Sequence, residues 1–293
     1  APALTPLFGQ TLARQIGELL PQTAGNVYEF GAGTGDLAAT LLNSLSDGLN
    51  RYYIVELSPD LAERQRQFIA DNTTPEAAAK VVHLNALPES LDGIAIGNEV
   101  LDAMPCDIVR YQSGQWQLMG VGLDANQQFQ WQSAPLPAEL LPAAQALLPA
   151  IDGYTSELHL RQQAFIRTLA RRLTRGALLF IDYGFDAAQY YHPQRSGGTL
   201  IGHYRHHAVH NPFEHVGLTD LTCHVNFTAI AEAACQAGLD LIGYTTQAAF
   251  LLNLGLTDLL AAQGEPESQA YIRAATACQT LLAPQEMGEL FKV

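Results

Sequence analysis

The chain has 293 residues, 48% of them hydrophobic, and a net charge of −14, which allows a large core in one elaborated domain or two. Its 15 Lys and Arg residues supply no basic face for a phosphate backbone, so no nucleic-acid partner is expected. Four cysteines without a C-x-x-C pair suggest neither a zinc knuckle nor a disulfide framework, and a reducing compartment fits.

In chain order, short apolar runs alternate with helical patterns, the signature of a parallel sheet covered by helices. A helix is predicted over Leu7–Leu20, a strand over Asn26–Phe30 and a helix over Asp36–Leu45. A strand at Tyr52–Glu56 leads to a helix at Pro59–Asn72, where Ser58 provides the N-cap and Pro59 the first helical position. Strands at Lys80–Leu84 and Gly93–Asn98 follow. Residues 106 to 132 contain three short strand patterns separated by Ser-Gly and Asp-Ala-Asn turns, hence an antiparallel insertion. A helix at Glu157–Leu173 and a strand at Ala177–Asp182 come next. Glu157, close after Thr155, is expected to be a capping or first-turn acid.

Residues 184 to 226 are rich in Gly, His, Tyr and Pro with little periodicity, which predicts a lid over a site. Beyond them the pattern gives a helix at Phe227–Ala237, a strand at Asp240–Thr245 and a helix at Pro266–Leu282. No apolar run reaches the roughly 18 residues of a membrane span. Ala1 opens no basic-then-apolar leader, so no targeting signal and a cytoplasmic location are expected. The histidine spacing His203-x-x-His206-His207 lacks the geometry of a metal helix, and no metal is predicted.

The chemistry centres on "YEFGAGTGD", residues 28 to 36. Three glycines between a strand and a helix let a ligand approach the backbone closely. A dinucleotide fingerprint aligned on Gly31 and Gly33 needs a third glycine at position 36, which holds Asp36, an anion where a pyrophosphate would sit. S-adenosylmethionine (SAM) carries an ammonium and a sulfonium instead, so Glu29 or Asp36 is compatible with it. Glu56, at the tip of the second strand, is placed to accept hydrogen bonds from both ribose hydroxyls. The predicted cofactor set is Glu29, Gly31, Ala32, Gly33, Gly35, Glu56, Leu57 and Asn98. A nicotinamide-linked oxidoreductase is the alternative, disfavoured by Asp36. A non-catalytic SAM-binding assembly factor is another.

"YYIVELSPDLAERQRQ", "GNEVLDAMPCDIV", "LLFIDYGF", "YYHPQRSGGTLIGHYRHH" and "GLTDLTCHVNFTAIAE" follow the glycine turn in the order found in MidA-like SAM-dependent methyltransferases. These are relatives of a mitochondrial complex I assembly factor that methylates a protein arginine. The resemblance covers nearly the whole chain. It implies a class I methyltransferase fold over residues 1 to 293: Rossmann-like, doubly wound and mostly parallel, with the insertion and the lid. It also implies further residues on both sides of this chain, with Val293 inside a final strand. By the same resemblance the substrate is a protein arginine.

A guanidinium needs carboxylates to orient it and take its proton. Asn98 and Glu99, which end the fourth strand, and Asp102 just after it are the predicted catalytic residues. A helical turn there would place both acids, at i and i+3, on one face. Tyr183, Arg205, His206 and His224 are predicted to contact substrate or hold the lid. Where the family more often has Asp, this chain has Asn226.

Overall fold

A computed structural model describes residues 1 to 45, 48 to 205 and 207 to 293. In chain order its main elements are α1 (Pro6–Leu19), β1 (Asn26–Phe30), α2 (Asp36–Ser44), β2 (Arg51–Val55), α3 (Pro59–Asn72) and α4 (Pro75–Ala78). Next come β3 (Val81–Leu84), β4 (Leu91–Asn98), β5 (Asp107–Gln112), β6 (Gln115–Leu123), β7 (Phe129–Pro135), α5 (Leu141–Leu147) and β8 (Thr155–Leu158). Then follow α6 (Leu160–Arg172), β9 (Leu173–Phe185), α7 (Ala187–Tyr190), β10 (Ile201–Tyr204), β11 (His207–Val209), β12 (Asp220–Thr222) and β13 (Val225–Asn226). The chain closes with α8 (Phe227–Gln236), α9 (Gln247–Asn253), α10 (Leu256–Ala261), α11 (Gln269–Leu282) and β14 (Phe291–Lys292). The chain divides into two compact units.

The first unit comprises residues 1–100, 168–183 and 237–293. Strands β3, β2, β1, β4 and β9 lie side by side and parallel, and β14 pairs antiparallel with β9. All five residues of β1 are buried, as expected for a strand covered on both faces. Leu7, Phe8, Leu12 and Ile16 of α1 join Leu37, Ala38, Leu41 and Leu42 of α2 in the core over Val27, Ile54, Ile94 and Ile181. The helix starts follow local chemistry. Thr5 Oγ1 accepts from Leu7 N at 3.3 Å with Pro6 in the first turn, and Ser58 Oγ accepts from Leu61 N at the head of α3. Strand order reverses between β1 and β4. Open α/β sheets bind ligands in the crevice beyond such a switch point.

The second unit comprises residues 101–167 and 184–236. Strands β7, β6, β5 and β8 form an antiparallel sheet backed by a core of Val109, Leu140, Ala144, Leu148, Tyr154, Leu158, Tyr190 and Tyr191.

Four sequence expectations change. The helix expected from Glu157 begins at Leu160, and Glu157 lies in β8, paired with Ile108 of β5; cross-strand pairing took over residues read as a helix start. Residues 184 to 226 are not irregular throughout, since β10 pairs with both β11 and β12. Three-residue strands carry too little periodicity to be seen in a sequence. Asp240–Thr245 is not a strand: Leu241 and Ile242 are 59% and 84% exposed, and backbone pairing begins only at Thr245, with Val293. Finally, Glu99 has φ 55° and the turn after it spans Leu101–Met104, so no helical turn carries Glu99 and Asp102 on one face.

Candidate functional site: the turn beyond β1 and the bend beyond β4

The glycine turn links β1 to α2. Gly31, Gly33 and Gly35 all have positive φ, at 66°, 54° and 100°, a region glycine enters without steric cost. A side chain at Gly31 would meet Val100 Cγ2 at 2.8 Å, so the turn and the bend after β4 abut. At Gly33 an added Cβ would meet nothing within 4 Å. Its backbone therefore borders open space, the arrangement a ligand edge requires. Ala32 is buried in the core, and its carbonyl accepts from Gly35 N at 2.8 Å.

Glu56 stands at the tip of β2. Its Oε1 accepts from Ser58 N at 2.8 Å and its Oε2 from Gln65 Nε2 at 3.2 Å. The same Gln65 Nε2 donates to Gly33 O at 2.9 Å, and Gln65 Oε1 meets His83 Nε2 at 3.1 Å. Gln65 is fully buried, so one amide ties the glycine turn to the acid of the next strand. Sequence reasoning missed it, because a glutamine in "AERQRQ" looks like a solvated helix face. A cavity of about 380 Å³ adjoins Glu56, lined in part by Leu57, Ala62, Leu84 and Asn85. Leu57 is 76% exposed, an apolar side chain standing over that cavity.

Glu29 is buried under the turn, and Tyr52 donates its hydroxyl to Oε2 at 2.7 Å. Burial pushes the Glu29 carboxyl up to about 7. It is thus a second layer beneath the turn rather than a surface acid.

At the end of β4, Asn98 Oδ1 is buried and makes no hydrogen bond among the described residues, while Asn98 Nδ2 donates to Glu99 Oε1 at 3.1 Å. Glu99 adopts the left-handed conformation, which costs a non-glycine residue about 1–3 kcal/mol and collects at functional sites. Two bonds hold it there. Glu99 N donates to Ile181 O at 2.9 Å, and Val100 N donates to the buried Asp182 Oδ2 at 3.1 Å. The Glu99 side chain is 40% exposed. Tyr183 packs edge-on against Phe291 at 5.4 Å beside the main core, a wall rather than an open contact.

The remaining candidates lie in the second unit. Asp102 is 5% exposed, and its carbonyl accepts from Cys223 N. Arg205 sits in the turn between β10 and β11 at φ 50° with its guanidinium 5.3 Å from the Tyr204 ring. His206 lies outside the described residues. His224 stacks on Phe185 at 5.1 Å, and its N donates to Thr199 Oγ1. Asn226 is buried, and Oδ1 accepts from Ala229 N, so the amide caps α8.

Glu157 departs furthest from its expected role. Oε1 accepts from Thr199 N at 2.7 Å and Leu200 N at 2.9 Å, and Oε2 accepts from Tyr190 Oη at 2.9 Å. Gly198 has φ 74°, a conformation strained for any residue with a side chain, and a Cβ there would run into the Glu157 carboxylate. This carboxylate anchors residues 198 to 200 against β8.

An open sheet with a bare glycine turn after β1, an acid at the tip of β2 and an orphaned amide oxygen at the end of β4 has the layout of a nucleoside-cofactor site at the switch point. Residues 8–245 match the family model described as "Putative S-adenosyl-L-methionine-dependent methyltransferase", and the chain belongs to that family. The resemblance to MidA-like enzymes is thereby borne out, and the family's cofactor is SAM. Two crystal structures from Burkholderia thailandensis are similar over this chain, each with a TM-score of 0.95. One is 48% identical and covers 100% of this chain and 79% of its own. The other, bound to S-adenosyl-homocysteine, is 47% identical and covers 99% and 76%. The protein arginine methyltransferase NDUFAF7 of Danio rerio is 23% identical over 325 residues, covering 100% of this chain and 74% of its own. The Drosophila melanogaster homologue is 25% identical over 332 residues, covering 100% and 72%.

Proposed function

We propose that this methyltransferase acts on a protein arginine, transferring a methyl group to a guanidinium nitrogen. The observation that carries the reading is Glu99, a carboxylate held in a left-handed bend beside the glycine turn. Two relatives named as protein arginine methyltransferases, similar over the whole chain, support it.

Gly31, Gly33 and Gly35 would receive the amino-acid part of SAM, and Glu56 its ribose. The cavity walled by Leu57, Leu84 and Asn85 has the apolar faces and the amide that a purine requires. When bound, SAM supplies a methyl group activated by its sulfonium. The protein's work is then alignment and charge. The Glu99 carboxylate orients a guanidinium through paired N–H donors and offsets its positive charge. It also provides a site for the proton that the nitrogen gives up. Asp182 holds the bend that carries Glu99 by accepting from Val100 N.

The test is methyl transfer from labelled SAM to proteins of a cell lacking this chain, followed by mass spectrometry. Methylarginine appearing only with the enzyme supports the reading. Label confined to lysine, to a carboxylate or to small molecules would refute the arginine assignment.

A further inference from the structure

Cys106 and Cys223 are 117 positions apart in sequence, yet their sulfurs lie 3.4 Å apart within the second unit. Cys106 directly precedes β5 and is half-buried, whereas Cys223 is 2% exposed. Sulfur in that contact needs only a small side-chain movement to bond. We propose that Cys106 and Cys223 form a reversible dithiol–disulfide pair, oxidised by hydrogen peroxide. This does not depend on the arginine reading.

The chemistry follows the exposure. An oxidant reaches Cys106 first. Its thiolate sulfur displaces one peroxide oxygen from the other, forming sulfenic acid and releasing one water. The Cys223 sulfur then attacks the Cys106 sulfur, an S–S bond forms as the S–O bond breaks, and the thiol proton leaves with the hydroxyl as a second water. Two thiols are oxidised and one peroxide is reduced to two waters. The Cys223 thiol is pushed up, first by its hydrogen bond to Cys106 and then by burial. It is accordingly the resolving partner rather than the thiol that meets the peroxide. The other cysteines differ. Cys235 is exposed on α8, and Cys278 is buried in the main core.

The bond has a structural consequence. Cys223 N donates to the Asp102 carbonyl at 3.0 Å, so the disulfide would fix the turn at Leu101–Met104 against the short link between β12 and β13. It also closes a long loop, which restricts the unfolded chain.

The full chain, carrying Cys235→Ser to prevent intermolecular exchange, is treated with a small excess of hydrogen peroxide. It is then alkylated, digested without reductant and analysed by mass spectrometry. The expected product joins the Cys106 and Cys223 peptides with loss of two hydrogens, disappears on addition of a thiol reductant and raises the thermal midpoint. In Cys106→Ser the linkage vanishes and Cys223 becomes alkylatable only after unfolding. Both thiols remaining alkylatable, or Cys106 gaining two or three oxygens without a link to Cys223, overturns the proposal.

Discussion

Glu56 and Glu99 stand at the ends of β2 and β4, on either side of β1, and single substitutions separate the roles proposed for them. Glu56→Ala removes the acid proposed to take the ribose. SAM affinity, measured by calorimetry, is expected to fall by about 1.5–3 kcal/mol, the range for hydrogen bonds to a charged group. Unchanged affinity would place Glu56 outside the site. Glu99→Gln keeps size and reach but removes charge. Methyl transfer is expected to fall by roughly 100-fold, typical of losing a positioned acid–base group, while SAM binds within a few-fold of the parent. Normal turnover would make the acid structural. Loss of SAM as complete as in Glu56→Ala would move Glu99 into the cofactor site. Both residues are visible in the sequence because each ends a strand. Gln65 is not, since only the approach of α3 to the turn gives its Nε2 two acceptors.

At the scale of elements, two buried groups make stability depend on pH in opposite senses. Burial raises the Glu29 carboxyl of β1 to about 7 from an unfolded value near 4.5. The folded state therefore holds the extra proton, and stability falls as pH rises from 4.5 to 7. His159, between β8 and α6, is buried beside Tyr190, and desolvation lowers its ring to about 4 from 6.5. There the unfolded state binds the proton, and stability is lost as pH falls from 6.5 towards 4. The two trends oppose each other between 4.5 and 6.5, so the variants must be measured singly. Glu29→Gln should remove the fall in thermal midpoint between pH 5 and 7.5. A midpoint in that variant that still follows the parent's profile would show that Glu29 does not hold the proton. Glu157 is a separate case, joining β8 to residues 198–200. Glu157→Ala strands the Thr199 and Leu200 amides and is expected to cost about 3 kcal/mol in denaturant unfolding. A cost under about 1 kcal/mol would mean that water replaces the carboxylate. No local signal marked this residue as buried: "TSELHL" reads as a helix start until β5 pairs with it.

For the whole molecule, the two units divide the proposed work. The cofactor turn, Glu56 and Glu99 belong to the first unit, and residues 184 to 226 belong wholly to the second. We propose that this segment responds to ligands as a lid, so its cleavage by a nonspecific protease should slow when SAM and an arginine peptide are both present. Equal cleavage rates would reduce it to a fixed structural segment.

The sequence by itself determined the parallel sheet, the glycine turn and the acids at strand tips. These follow from short-range rules: apolar runs of strand length, N-caps such as Ser58, and backbone freedom at Gly31, Gly33 and Gly35. The tertiary structure decided what depends on distant partners. It placed Glu29 beneath the turn with Tyr52, drew Gln65 between Gly33 and Glu56, and held Glu99 in a left-handed bend through Asp182. It also made Glu157 a strand anchor and brought Cys106 to Cys223. Hydrophobic periodicity records which face of an element is buried. It carries no record of which polar group, scores of residues away, a buried carboxylate or thiol will meet.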